Sequence, residues 1–432
     1  MLRPDEPIRL SDDPMMLPFE GTPLLHVEQT ADSCIKCNIC NTVCPVSAVT
    51  DLFPGPKYEG PQGQRFRAGV EDDGSPDKSL DYCSGCGLCT QACPEGVMVA
   101  EINSVARSKL VADRGGLRWR DQLISRPTLI ANLARPVAPI ANVSLANPGV
   151  RWLVEKVVGV HRKAAMPKFS SVTFRSWFRR HTPPADAATT VAYFHGCATQ
   201  EYEPEVGTAL VRVLERNGIR VTLPRQNCCG LPLVSNGDYP AARRFARRLT
   251  AGLAPAAADH GVIVANSTSC GMTLKSKYRE LLGMEDETTT TVSAAVYDIC
   301  EYLAELADDG RLDTDLAPVQ ATAIYHPQCQ LMAHGAGTPA LDLLALVPGL
   351  KVEQSTVGCC GMAGTYGVKA EKYAIAMDVG AGLWEQARTL KPDFIVCDSE
   401  TCRWHIAKAT GLPVYHPVQV LDHAYASRAE AG

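Results

Sequence analysis

The sequence predicts a multidomain protein of mixed α+β and α/β class: a mainly helical, loop-rich module followed by a tandem pair of α/β units. Two observations predict it. Eight of the 18 cysteines stand in two tight groups between residues 32 and 105. The other ten lie between Cys197 and Cys402, and there Cys197 and Cys329, Cys228 and Cys359, and Cys270 and Cys402 recur 132, 131 and 132 residues apart. With 432 residues, 46% apolar and 21% charged, the chain has globular composition and room for several cores. A net charge of -5 does not suggest a nucleic-acid partner.

Residues 1–31 carry several prolines and no periodicity, which predicts an extended N-terminal arm. Its acidic start lacks an apolar h-region, so no secretory signal is expected. No run of 18 apolar residues occurs, so no transmembrane segment is expected either. The expected compartment is the reducing cytoplasm, where clustered thiols bind metal rather than pair as disulfides.

Residues 32–105 form the first module. Its runs CIKCNICNTVCP and CSGCGLCTQACP share the spacing Cys-x2-Cys-x2-Cys-x3-Cys-Pro, which is that of bacterial two-[4Fe–4S] ferredoxins. Three thiolates from one tight loop hold three corners of a cube, and the fourth cysteine serves the other cube. Cluster 1 is therefore assigned to Cys34, Cys37, Cys40 and Cys93, and cluster 2 to Cys83, Cys86, Cys89 and Cys44. Pro45 and Pro94 fix the local φ and turn the chain away after the last ligand. Structural zinc sites use two Cys-x2–4-Cys pairs and match these runs poorly. Between Cys44 and Cys83, the Gly- and Pro-rich string GPKYEGPQGQRFR predicts a surface loop. Arg65 and Arg67 within it are given no role.

Residues 106–188 contain no cysteine and read as a basic amphipathic linker. From Arg114 to Arg180 there are 13 Lys+Arg against Asp121 and Glu155, and three of the five tryptophans. In SSVTFRSWFRR, Phe174, Trp177 and Phe178 share one helical face beside Arg175, Arg179 and Arg180. RWLVEKVVGVHRK sets Trp152 and Val157 among basic residues. Such segments lie flat on anionic membrane surfaces, or dock on acidic protein surfaces; the membrane surface is preferred here.

Residues 189–316 and 317–432 are the two repeats. Each opens on a β-branched and aromatic run, VAYFHGC or AIYHPQC, and continues into a helix. Val206, Leu210, Val213 and Leu214 share a helical face in the first copy, and Leu341, Leu344 and Ala345 in the second. A short strand follows (RVTLP or KVEQ), then Cys-Cys-Gly, a second helix, and an apolar strand (GVIVANS or DFIVCDS). Strands alternating with helices predict mostly parallel sheets.

Adjacent cysteines in an extended strand point to opposite faces. Both sulfurs of Cys228–Cys229, or of Cys359–Cys360, reach one centre only if the backbone turns sharply, and Gly230 and Gly361 tolerate that turn. Each repeat then offers four thiols for an iron–sulfur site. Cys197, Cys228, Cys229 and Cys270 form Cys-Cys-Gly site 1; Cys329, Cys359, Cys360 and Cys402 form site 2. Buried apolar cysteines, or redox thiols without metal, are the competing readings. Cys300 and Cys397 read as core residues. His195 and His326, in matching positions, read either as hydrogen-bonding or proton-donating neighbours of the clusters or as capped core histidines.

Taken together, YFHGC, NCCGLPLVSNG, GCCGMAGTYG, CDSETCRW, GPKYEGPQGQRFR and MPKFSSVTFRSWFRR give residues 32–425 a resemblance to the C subunits of anaerobic glycerol-3-phosphate dehydrogenases. The resemblance implies an electron-transfer subunit, peripheral on the cytoplasmic side of the cell membrane. It implies electrons taken from flavin-containing catalytic subunits that oxidise sn-glycerol 3-phosphate and delivered to menaquinone, with membrane contact through residues 114–180. The alternative is an iron–sulfur subunit of a related system that oxidises glycolate or lactate, or that reduces disulfides as heterodisulfide reductases do. One departure stands out: both repeats end in Ser-x-x-Cys, at Ser267 and Ser399, where the fullest motif has Cys-x-x-Cys, which puts five-cysteine noncubane clusters in doubt. No Gly-x-Gly-x-x-Gly or Walker sequence follows a predicted strand. The chain is thus not expected to oxidise substrate alone.

Overall fold

Strand-and-helix alternation becomes two four-stranded parallel sheets in the computed structural model, which describes residues 23–68, 78–184, 186–335 and 337–431. The first sheet contains β1 (Thr189–Phe194), β2 (Ile219–Thr222), β3 (Ile263–Ala265) and β4 (Val296–Asp298), in the order β2-β1-β3-β4. The second contains β5 (Ala321–Tyr325), β6 (Leu350–Gln354), β7 (Phe394–Val396) and β8 (Val414–Tyr415), in the order β6-β5-β7-β8. Identical order, with every pairing parallel, is what a duplicated unit produces.

Each sheet puts its strand ends where the cysteines stand. Cys197 follows β1, Cys228–Cys229 follow β2 and Cys270 follows β3; the second repeat does the same. Open parallel sheets collect ligands at those carboxyl ends. The helix Pro204–Arg216 buries Val206, Leu210, Val213 and Leu214, the predicted face. Its counterpart Pro339–Ala345 buries Ala340, Leu343 and Leu344 instead. Ala345 is exposed and Leu341 half-buried, so the buried face of this short helix is rotated from the predicted one.

The N-terminal arm is not extended where it is described. Pro23–Gln29 is helical and Thr30–Ser33 a 3-10 turn, because Val27 and Ala31 are buried in a core that also holds Ile102 and Val105. Residues 1–22 lie outside the described residues. The Gly- and Pro-rich insert is not a surface loop either. It forms a π-turn, Tyr58–Gln62, and a helix, Gly63–Ala68, that bury Glu59, Gly60, Pro61 and Gln64. Arg65 there donates to the Ala31 carbonyl at 2.9 Å and so braces the loop that starts at Cys34.

The helix Val99–Asp113 runs through residue 105, so the first module and the basic segment are continuous. The basic segment then forms the helices Trp119–Ile124, Pro127–Ala134, Ala138–Ala146, Pro148–Val158 and Phe174–Phe178. The last of these corrects an expectation. Phe174 is fully buried, edge-on to Tyr193 and His195, and Trp177 and Phe178 pack against it. That aromatic face meets protein rather than solvent.

Candidate metal centres

Both cysteine runs of the first module close into the same loop. The second and fourth residues after the first cysteine are left-handed in each: Lys36 (φ 64°) and Asn38 (φ 76°) in one, Gly85 (φ 69°) and Gly87 (φ 88°) in the other. Cys34, Cys37, Cys40 and Cys93 line one small pocket at the protein surface. Burial pushes the Cys40 thiol up, and the neighbouring Cys34, Cys93 and Cys37 sulfurs push it further. Cys37 is exposed. The other four, Cys44, Cys83, Cys86 and Cys89, are buried. Burial raises Cys89 well above the ordinary thiol range, and Cys86, Cys83 and Cys44 add to it. The Ser47 N–H donates to Cys44 Sγ at 3.5 Å, and Asn103 Nδ2 points at Cys83 Sγ from 3.9 Å.

In the repeats the Cys-Cys-Gly turns have the geometry that two converging sulfurs need. Gly230 and Gly361 sit at φ 81° and 87°, and their N–H groups donate back to Cys228 Sγ (3.5 Å) and Cys359 Sγ (3.3 Å). Cys229 Sγ lies 3.2 Å from Cys270 Sγ, and Cys197 is hydrogen-bonded to Cys228. In the second repeat Cys329 pairs with Cys359 and Cys402 with Cys360. The two sets are not separate. All eight thiols line one cavity of about 90 Å³, together with Cys86, Ser84, Gln328 and Glu400.

The donor chemistry fits a multinuclear iron–sulfur core. In two of the touching pairs one thiol is pushed down and its partner up: Cys228 against Cys197, and Cys359 against Cys329. Further ionisation of a buried set is opposed by the charge already there, so four thiolates together require positive charge among the sulfurs. Among the described residues, no three Cys, His, Asp or Glu groups close on a point as ligands of a single ion do.

The remaining sequence candidates separate cleanly. Cys300 does not line the cavity and donates to Asp398 Oδ1 at 3.7 Å. Cys397 is fully buried and stands against Cys402, in an apolar cluster with Ile395, Leu383 and Ile406. Neither Ser267 nor Ser399 caps the helix it precedes. His195 receives a hydrogen bond from Arg175 Nε at 3.2 Å on Nε2, so Nδ1 carries the proton toward the Gly196 carbonyl at 2.7 Å. Burial lowers His195 to about 3 and His326 to about 4. Both ring nitrogens of His195 are thus engaged by protein groups, and His326 Nδ1 lies 3.1 Å from Ser355 Oγ.

Sequence reasoning missed Glu400 and Gln328 on the cavity wall, and missed that Cys86 reaches it. Cys359 stands near enough to Cys86 to oppose its ionisation, and both belong to a cluster with Cys44, Cys83, Cys329, Phe53 and Ile375. No local signal marks a contact between residues so far apart in the chain.

Comparison with known proteins agrees with this layout. Residues 30–97 match a 4Fe-4S dicluster domain, and residues 191–275 and 323–407 each match a cysteine-rich domain. The chain is 34% identical to the C subunit of anaerobic glycerol-3-phosphate dehydrogenase from Escherichia coli, over 91% of this chain and 98% of the relative. It is 26% identical to the B subunit of fumarate reductase (CoM/CoB) from Methanothermobacter marburgensis, over 91% of this chain and 72% of that one. It is 23% identical to the glycolate oxidase iron–sulfur subunit of Escherichia coli, over 93% and 95%.

Proposed function

Because the chain belongs to the family of anaerobic glycerol-3-phosphate dehydrogenase C subunits, we propose that it passes electrons from flavin-bearing subunits, which oxidise sn-glycerol 3-phosphate, to menaquinone. In its coarser outline the chain is an iron–sulfur electron-transfer subunit of an oxidoreductase family. Its clusters supply one-electron storage between a two-electron donor and a two-electron acceptor.

The proposed holders are the four thiol sets. Cys34, Cys37, Cys40 and Cys93 would hold the first cube, and Cys44, Cys83, Cys86 and Cys89 the second. The two Cys-Cys-Gly sets would hold iron–sulfur centres in the repeats. One observation carries the reading: the sets follow one another, from exposed Cys37 to Cys40, which shares a core cluster with Cys89 of the buried second set, to Cys86 on the wall of the shared cavity. That order supports entry of electrons at Cys37 and exit near the repeats. The protein's own work is to fix the sulfurs, donate N–H groups to them and exclude water.

Membrane contact is proposed through the basic segment, but with a different face from the aromatic one. Pro127–Ala146 is long and apolar enough to cross a bilayer by length and composition, with 11% of it buried. One side is tied to the protein: Arg135 pairs with Glu201 at 2.8 Å, Asn142 exchanges hydrogen bonds with Phe169, and Ala131 and Ala138 are buried. On the other side Leu129, Leu133, Val137, Ile140 and Val143 are 48, 71, 47, 68 and 74% exposed. Their spacing is one stripe of a helix. A segment held along one side and apolar along the other suits the plane of the interface, and the same basic segment carries the exposed Arg118, Lys156 and Lys163 for anionic headgroups.

Anaerobic purification tests the proposal. A flavoprotein should co-elute with glycerol-3-phosphate:menaquinone activity. The eight-thiol cavity gives one specific reason for a second reading, reduction of a small acceptor such as a disulfide inside it. Disulfide turnover by the isolated chain, with no co-eluting flavoprotein, would replace the first reading by the second.

A further inference from the structure

Next to Cys83 the first module, the basic segment and both repeats meet around a polar cavity of about 60 Å³. Arg107, Lys369 and Lys372 are buried in its wall. Lys369 is matched by Asp121 at 2.9 Å, and Arg120 by Glu371 at 2.8 Å. Arg107 and Lys372 differ. They are 7% and 5% exposed, and neither is in an ion pair with a carboxylate among the described residues.

What holds these two cations is mostly the turn that leads into Cys83. Arg107 Nη2 donates to the Leu80 and Cys83 carbonyls, each at 2.6 Å, and Nη1 to the Ser235 carbonyl at 2.8 Å. Its Nε has no acceptor. Lys372 Nζ donates to the Asp81 carbonyl and lies over the rings of Tyr82 and Tyr366, at 5.5 and 4.8 Å. The nearest carboxylates to Lys372, Asp81 and Glu371, are already paired with Arg114 and Arg120. Burial, with the Lys369 and Arg107 charges, pulls Lys372 down to about 7. The two cations are therefore unfavourable unless a further anion stands close by.

We propose that Arg107 and Lys372 are the built-in counter-charge of the cluster assigned to Cys44, Cys83, Cys86 and Cys89, and that they raise its reduction potential. The proposal rests on that ligand assignment. A cube with four thiolates is anionic, and reduction adds one more negative charge. Fixed cations in a water-poor site favour the reduced form strongly, since little solvent screens them. A small free anion in the cavity would instead be repelled by the same cluster. The first set has only an exposed version of this: Arg65 donates to the Ala31 (2.9 Å) and Cys34 (3.4 Å) carbonyls, but Arg65, Lys36 and Cys37 all face solvent, which screens them. Arg107 and Lys372 thus act as positioning charges, specific to one cluster.

The experiment is a dithionite titration of the anaerobically reconstituted full chain, followed by low-temperature paramagnetic resonance. Wild type, Lys372→Met, Lys372→Arg and Arg107→Lys are compared, with the second cluster's signal assigned by its loss in Cys83→Ser. Iron and sulfide content is measured first, so that failure of the cluster reading shows separately. In Lys372→Met the reduced-to-oxidised ratio of the second cluster at fixed potential should fall about tenfold, which is about 59 mV for one electron. The first cluster should not move. Lys372→Arg and Arg107→Lys, which keep the charge, should stay near wild type. A fall of less than threefold in a fully loaded Lys372→Met, an equal fall in both clusters, or an Arg variant that shifts as far as Met overturns the proposal.

Discussion

Gly361 shows how little freedom a single residue has beside the thiols. Its φ is 87°, and a Cβ built there would fall 2.0 Å from the Ala376 carbonyl oxygen. At Gly230 the φ is 81°, but the nearest atom to such a Cβ is Phe245 Cβ at 3.3 Å. Gly230→Ala should therefore cost about 1 kcal/mol of stability from the left-handed backbone. Gly361→Ala must also displace backbone, and should lose site 2 iron as well as several degrees of melting temperature. Thermal melts with iron analysis separate the two. A second residue-level prediction concerns Asp298, which ends β4. It accepts from Thr268 and from the Cys300 N–H, and burial followed by the nearby Asp398 pushes it up to about 7. An unfolded aspartate titrates near 3.9. The native state thus binds the extra proton between about pH 4 and 7, so this group's contribution is full below that window and is lost as pH rises through it. About 2–3 kcal/mol of this loss falls between pH 5 and pH 8. Denaturant unfolding at pH 5 and pH 8 measures it, and Asp298→Asn should flatten the difference. His195 makes the complementary point. Its place before Cys197 was legible in the sequence, but its lowered basicity was not, because burial and the Arg175 contact are tertiary.

At the scale of elements, ligand-bearing loops were the most legible part of the chain. Three cysteines of each ferredoxin-type run lie within seven residues, and spacing that short fixes geometry locally. Strands β1, β3, β5 and β7 were legible from apolar runs. β4 was not, because Val296–Asp298 runs straight into a capped helix and shares its apolar pattern. The basic segment shows a different limit. An amphipathic pattern says that a face is covered, not by what. In Phe174–Phe178 the cover is the first repeat, while the stripe from Leu129 to Val143 has no protein cover among the described residues. If lipid covers it, Leu133→Glu with Ile140→Glu should abolish flotation with anionic vesicles and leave cluster content unchanged. Retention on vesicles in that double variant would remove the membrane role of this stripe. Raising salt should weaken wild-type binding only partly, since headgroup attraction is screened and apolar insertion is not.

For the whole molecule, the decisive relation is the one between Cys86 and the repeats. It couples a site built by local spacing to two sites built by duplication, across a contact that no sequence period encodes. Cys86→Ser should disturb the second cluster alone among the ferredoxin-type pair. Freeze-quenched samples with the flavoprotein donor should then show the first cluster reduced and the repeat centres still oxidised. Reduction of the repeat centres at the wild-type rate would mean that electrons enter elsewhere.

The cavity walled by both repeats has an evolutionary consequence. A half-length ancestor with one repeat could complete such a chamber only by pairing with its own twin, each copy presenting the same patch to the other. Fusion made that encounter intramolecular and independent of concentration. It also released the halves from identity: Gln328 now reaches across to Ser269 from the second copy, while its counterpart in the first is Gly196. One side of an originally symmetric chamber has thus been free to specialise.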